Sequence, residues 1–289
     1  MVELGCFAAL DHLQWLRTGA RAADILNCHQ SKISRDAKKC QRIFGVTLTK
    51  RACEWRMTGD DTLLSAERRI HQRYRWDNDL PLRLDGQHWM RDDYEPLPLQ
   101  GWLKGNFNYL EYEQPHFLLK KRIIDAWLCS APDHPGDANL AAIQLCSMPC
   151  LLTVKNNHPL AALGPSVTLE HIRRYPMLPL PEQSFPIFAS VLHSLGLDRH
   201  DRAVMANSSL PVEDLLIGIA SPLRISLYGP DHVVLPIELP VSIGDVLMVP
   251  SEFADHPRTR TLVEQLLDHL RSVSAGMVDL QIHQQAWAS

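Results

Sequence analysis

The sequence predicts an α/β protein in two parts, a basic helical quarter followed by a longer stretch of short strands and helices. Three observations predict it. Residues 1–76 carry 14 Lys/Arg against 8 Asp/Glu, whereas the rest of the 289-residue chain carries 15 against 25. Apolar residues between Leu4 and Phe44 recur at helical spacing, interrupted at Thr18-Gly19 and at Asn27-Cys28-His29. Beyond Pro81, apolar runs of strand length alternate with helical patterns, the texture of a sheet covered by helices.

Leu4, Phe7, Leu10, Leu13 and Leu16 form the apolar stripe of a first helix. Thr18 is placed to cap a short second helix of small residues, Ala20, Ala22, Ala23, Ile25 and Leu26. A third helix starts near Gln30, with Ile33, Ala37, Cys40 and Phe44 inward and Gly45 as its stop. Leu48 to Met57, mixed and basic, suits a small β-wing. Thr58 offers a cap for a helix over 59–75. Asp77-Asn78-Asp79-Leu80-Pro81 marks a boundary, because polar residues, a proline and a change of pattern coincide. Strands are then expected at Pro81–Leu84, Tyr109–Tyr112, Ala126–Cys129, Cys150–Val154, Met177–Leu180, Ala203–Ala206, Leu223–Ser226 and Val246–Val249. Helices are expected at Phe117–Arg122, Leu169–Arg174, Phe185–Leu195, Val212–Ile217 and Arg258–Val273. Residues 275–289 carry no period and read as a loose C-terminal tail.

The length accommodates two domains, each large enough for its own core without staples. No apolar run approaches a membrane span, and the N-terminus lacks the layout of a secretion signal. The seven cysteines form no C-x-x-C pair and read as free thiols of a cytoplasmic protein. Fourteen histidines are scattered without ligand spacing, so neither a metal nor a cofactor is expected. His200-Asp201 and Asp231-His232 stand beside no nucleophile motif, and no catalytic residue is assigned.

A basic N-terminal quarter on an acidic body suggests that only the first part faces a polyanion. Two short helices joined by about three residues, with alanines where they must pack, have the form of a helix-turn-helix. In that motif the polar leading edge of the second helix reaches base edges in the major groove. Here those residues are Gln30, Ser31, Lys32, Ser34 and Arg35. Glutamine suits adenine, and arginine or lysine suits guanine. Lys38, Lys39 and Arg42 lie further along, where phosphate is the nearer target. Arg51 and Arg56 of the wing could follow the backbone or the minor groove. The pattern by itself equally fits a basic helical hairpin in an enzyme, with Gln30 capping a helix and Arg51 pairing with Glu54.

A resemblance decides between these. Thr18-Gly19-Ala20-Arg21-Ala22-Ala23-Asp24-Ile25-Leu26 is similar to the Ser-Phe-x-x-Ala-Ala-x-x-Leu segment of LysR-type regulators. His29-Gln30-Ser31-Lys32-Ile33-Ser34-Arg35 resembles their recognition helix, matching at Gln30, Ser31, Ser34 and Arg35. Phe44-Gly45-Val46-Thr47-Leu48 resembles the turn that closes it, and Arg51 fits the arginine that follows. Val154-Lys155-Asn156-Asn157-His158-Pro159-Leu160-Ala161, then Val167-Thr168-Leu169, resembles the family's His-Pro-Leu-Ala segment. Cys40-Gln41 and Thr49 depart from it, the linker helix is shorter, and Asp85 to Asp93 replaces a helix of the first lobe.

The resemblance implies a winged helix-turn-helix over residues 1–58 and a linker and dimerisation helix over 59–77. It further implies a two-lobed effector-binding domain over 78–274, like periplasmic solute-binding proteins. Its partners would be double-stranded DNA, a small-molecule effector and further copies of the chain, as a homodimer or homotetramer. Thr18, Gln30, Ser31, Lys32, Ser34, Arg35, Lys38, Arg51 and Arg56 would contact DNA. By position, Gln87, His88, Gln183, Ser184, Ser208 and Ser209 would contact the effector. The alternative is a ligand-binding or scaffold protein whose degenerate helix-turn-helix no longer reads sequence.

Overall fold

A computed structural model describes residues 4–198, 210–275, 277 and 279–283. The chain divides into two compact units. The first comprises Met1–Leu128, Asp137–Ala141 and Met248–Thr259, the second Cys129–Gly136, Ala142–Leu247 and Arg260–Ser289.

The first unit begins with α1 (Leu4–Leu16), α2 (Gly19–Ile25) and α3 (Gln30–Phe44), followed by the hairpin β1 (Thr47–Arg51) and β2 (Glu54–Thr58) and the helix α4 (Thr62–Asp77). These are the expected helix-turn-helix, wing and linker. The last helix starts later than Thr58 would have allowed. Thr62 donates its N–H and hydroxyl to Asp60 at 3.0 and 2.5 Å, forming the turn that launches the helix. Next come β3 (Leu82–Gly86), α5 (Arg91–Tyr94), β4 (Trp102–Lys104), α6 (Glu113–Lys120) and β5 (Ala126–Ala131), whose last three residues belong to the second unit. Within this unit β3 pairs in parallel with β4 and with β5, and all five β3 residues are buried, as a central parallel strand requires.

The stripe expected on α1 understates its burial. Phe7, Leu10, Trp15 and Leu16 are buried, and so are the polar Asp11, His12 and Gln14. One flank packs on α2 and α3, while the polar flank meets α4 and β3 through buried charge. Asp11 accepts from Arg68 of α4 at 2.9 Å and from Arg83 of β3 at 3.2 Å, and Arg68 also donates to Gln14 at 2.6 Å. Asp125, at the start of β5, accepts from Gln72 and Arg75 of α4 and from the Arg83 N–H, each at 2.9 Å. Burial, and then the neighbouring Arg75, lower the Arg83 guanidinium to about 10. Buried charges persist only when paired in this way. The Asp77–Pro81 segment is therefore spanned by ion pairs inside one compact unit.

The second unit holds β6 (Leu140–Gln144), β7 (Cys146–Lys155), α7 (Leu169–Ile172), α8 (Pro186–Ser194), β8 (Gly218–Ala220), β9 (His232–Pro250), α9 (Pro257–Val273) and β10 (Gln281–Ile282), with the ends of β6, β9 and α9 shared with the first. Here β7 pairs antiparallel with β8, β9 and β10. His158 of the His-Pro-Leu-Ala segment is buried, its Nδ1 accepting from Leu160 N–H at 3.0 Å and its Nε2 lying 3.3 Å from the Leu215 carbonyl. It is a structural pin.

Several expected elements differ. Tyr109–Tyr112 makes only an isolated bridge from Tyr109 to Gln87, and Leu110 and Glu111 are both exposed, so the inward–outward alternation of a strand breaks after two residues. Met177–Leu180 likewise reduces to a bridge from Met177 to Ile217, because Pro176, Pro179 and Pro181 remove the N–H donors a ladder needs. Residues 225–228 form a 3-10 turn instead of a strand, and Val212–Asp214 a single 3-10 turn instead of a helix. Part of the expected tail is ordered, with Gln281 opposite Ser147 and Ile282 opposite Cys146. β4, β6 and β10 were not anticipated; each is short or half-exposed. Ala203–Ala206 lies outside the described residues, as do His200-Asp201.

Candidate nucleic-acid interface

The site is built from the turn between α2 and α3. Thr18 adopts extended backbone and its hydroxyl accepts the Arg21 N–H at 3.4 Å, so its first role is the cap of α2. Ala22 and Ala23 are buried, and Gly19 faces Gln30 so closely that an added Cβ would lie 3.0 Å from Gln30 Cγ. Small residues are what let the two helices approach. Asn27 takes φ 46°, and the Cys28 N–H closes the turn on the Ala23 carbonyl at 2.9 Å. Gly45 ends α3 in the left-handed region, at φ 65° and ψ 25°.

α3 is sharply two-sided. Ile33, Ala37 and Cys40 are buried, while Gln30, Ser31, Lys32, Ser34, Arg35, Lys38 and Arg42 are exposed. At 100° per residue, Ser31, Arg35, Lys38 and Arg42 fall together on the side opposite the buried stripe. Arg35, Lys38 and Arg42 also line an open groove of about 600 Å³ with Gln41, Gly45, Val46 and Thr47. Gln30 and Ser34 lie on one flank, Gln30 against Gly19. Lys32 lies on the other flank, bonded to Asp36 at 2.5 Å, whose carboxylate raises the ammonium pKa. Its charge is thus partly answered within the helix.

The wing is held by Gln41, one of the departures from the resemblance. Gln41 accepts the Leu48 N–H on its side-chain oxygen at 2.8 Å and the Val46 N–H on its carbonyl at 3.1 Å. Cys40 packs in the core, where burial pushes its thiol up to about 12. Arg51 and Arg56 are exposed. Arg51 sits opposite Glu54, but that carboxylate bonds Arg17 at 2.6 Å, so the Arg51–Glu54 pair does not form. Sequence reasoning passed over Arg17 and Gln41. Arg17 is half-buried at φ 64°, a conformation that nothing in its residue type announces.

The effector candidates fall in both units. In the first, Gln87 directly follows β3, fully buried, with neither its amide oxygen nor its nitrogen hydrogen-bonded; His88 is exposed. In the second, Gln183 is exposed and Ser184 buried, just before α8. The first N–H groups of α8, on Ile187 and Phe188, already donate to the Asp133 carboxylate at 2.7 and 2.9 Å. The expected helix at Val212–Ile217 is only a 3-10 turn over Val212–Asp214 and offers no helix N-terminus that could take an anion. Ser208 and Ser209 lie outside the described residues. Among the described residues no cluster of three His, Cys, Asp or Glu could hold a metal, and no helix is long and apolar enough to cross a membrane.

A model of the LysR substrate binding domain matches residues 110–271. No curated protein matches the sequence. Among solved structures, the chain is similar to a full-length OxyR variant from Pseudomonas aeruginosa at 18% identity, over 94% of this chain and 96% of that one, with a TM-score of 0.55. It is similar to a probable transcriptional regulator from Pseudomonas aeruginosa at 15% identity, over 91% and 96%, with a TM-score of 0.54. Full-length CbnR in complex with its target DNA aligns at 14% identity over 92% and 99%, with a TM-score of 0.50. These likenesses concern the fold, which is α/β with an N-terminal helix-turn-helix in front of the matched domain.

Proposed function

This chain belongs to the LysR family, and from that premise we propose that it is a sequence-specific DNA-binding transcription regulator that responds to a small-molecule effector. One observation carries the reading: the face of α3 opposite its buried stripe presents Ser31, Arg35, Lys38 and Arg42 to solvent. A helix glued on one side and polar on the other is the form in which a recognition helix enters the major groove. Gln30, Ser31, Lys32, Ser34 and Arg35 are assigned to base edges, with Lys32 giving up Asp36 to do so. Thr18, Lys38, Arg51 and Arg56 are assigned to the phosphate backbone and flanking groove.

Residues 1–58 are the DNA-reading part in this proposal, 59–77 the linker and 78–274 the effector-responsive part. α4 exposes Leu63, Ile70 and Tyr74 on one face, seven and four residues apart, an apolar stripe suited to a second copy of the same helix. A two-fold pair of α3 helices would read an inverted repeat. Effector binding is assigned to Gln87 and His88 in the first unit and Gln183 and Ser184 in the second. The orphaned Gln87 amide supports this, since a buried amide without partners gains most from a ligand that supplies them.

The test is binding of the full chain to duplexes selected from a random pool. Arg35→Ala should weaken the selected duplex by about 1–3 kcal/mol and relax the preference at one base position. Lys38→Ala should weaken all duplexes alike and reduce the salt slope by about one. Equal affinity for every duplex would favour a protein whose helix-turn-helix no longer reads sequence.

A further inference from the structure

Arg17 stands at the crossing of three elements of the first unit. It follows α1 and precedes Thr18, the cap of α2. Its carbonyl accepts from Lys50 Nζ at 3.1 Å and from Trp55 Nε1 at 3.0 Å, one donor from each strand of the wing. Its guanidinium forks. One nitrogen bonds Glu54 of the wing at 2.6 Å, and the other donates to Asn108 at 2.8 Å. The guanidinium carbon also lies 4.2 Å from the ring centre of Tyr109. Asn108 and Tyr109 belong to the segment that follows β4 and are far from the wing in sequence. The same segment holds the end of α1, since Asn106 donates to the Leu16 carbonyl and the Tyr109 hydroxyl to the Trp15 carbonyl, both at 3.4 Å. Its other edge pairs with the end of β3. Tyr109 bridges Gln87, and the His88 N–H donates to the Tyr109 carbonyl at 2.9 Å.

An unbroken line of hydrogen bonds and ring contact therefore runs from Gln87-His88 through Tyr109 and Arg17 to Lys50, Glu54 and Trp55. We infer that Arg17 is a positioning residue that clamps the wing to the 106–109 segment, so that a change at the Gln87-His88 strand end reaches the DNA-facing surface within one chain. Lysine cannot replace it, because a single ammonium cannot serve Glu54 and Asn108 at once and stack on Tyr109. The inference rests on the proposed function only in naming the wing as a DNA-facing element. The clamp itself can be tested without DNA.

The experiment is amide hydrogen exchange on the full chain, followed by binding to a duplex selected by the wild type. Arg17→Ala is expected to speed exchange across residues 47–58 about tenfold, with Arg17→Lys intermediate. Asn108→Ala changes an exposed residue of the regulatory part and leaves the fold intact; it is expected to speed wing exchange about threefold while α3 is unaffected. Arg17→Ala and Asn108→Ala are then expected to lose protection of the DNA flanking the recognition-helix site and keep it at the centre. Wing exchange that stays at the wild-type rate in Asn108→Ala overturns the clamp, whatever Arg17→Ala does. Failure of the wild type to bind any duplex removes the regulator reading, while the exchange data still decide the clamp.

Discussion

Replacing Asp11 by Asn tests the claim that buried charge ties α1 to the rest of its unit. The carboxylate is fully buried and accepts from Arg68 at 2.9 Å and Arg83 at 3.2 Å, both guanidinium groups being themselves buried. The amide keeps the shape and removes the charge, leaving two cations without their shared anion. Gln14 still serves Arg68 at 2.6 Å and the Ile123 carbonyl serves Arg83 at 2.8 Å, so part of the bonding survives. Breaking a buried pair by removing one partner costs about 3–5 kcal/mol. At roughly 2–4 °C per kcal/mol for a domain of this size, Tm should fall by roughly 10 °C. Intrinsic fluorescence during urea unfolding reads it directly, because Trp15, Trp76 and Trp127 are all buried. A double-mutant cycle with Arg68→Ala should return a coupling above about 1.5 kcal/mol. A loss below about 1 kcal/mol, or additive single effects, would refute the reasoning.

His12 is buried in α1, where desolvation first and then Arg83 hold its pKa well below the usual 6.5. The unfolded chain therefore binds a proton that the folded chain refuses. The corresponding stability is complete above pH 6.5 and falls by up to about 1.4 kcal/mol per unit as pH drops below that value. His12→Gln should flatten this slope in a pH series of unfolding curves; an unchanged slope counts against a neutral buried imidazole. Gly105→Ala should be among the most damaging small changes, since its Cβ would strike the Asp85 carboxylate and lie 2.7 Å from Trp15 Nε1. Overpacking of about 3 kcal/mol is expected, visible as loss of soluble protein or of cooperative melting, and wild-type stability would show that the Trp15–Asp85 bond at 2.7 Å is dispensable.

Local signals were legible where neighbours in sequence decide the conformation. The cap at Thr18, the stop at Gly45, the Ile33-Ala37-Cys40 stripe and the exposed basic residues of α3 all follow from spacing and residue type. Such features depend on bonds spanning a turn or less. Short or proline-punctuated segments were misread because a few residues carry too little pattern to separate a strand from a bridge, as at Met177 and Tyr109. Cys40-Gln41 read as departures because only the folded unit shows one filling the core and the other holding the wing.

From its sequence alone this chain is determined to be an α/β protein with a basic pair of short helices in front, because helical period, capping and charge are written residue by residue; that the pair is a helix-turn-helix came from the resemblance to LysR-type regulators. That Asp11 joins α4 to β3, and that Arg17 joins the wing to Asn108, was decided only in three dimensions. These partners lie 33 to 91 positions apart, and a charged residue carries no mark of which distant partner it will meet until packing expels the water between them.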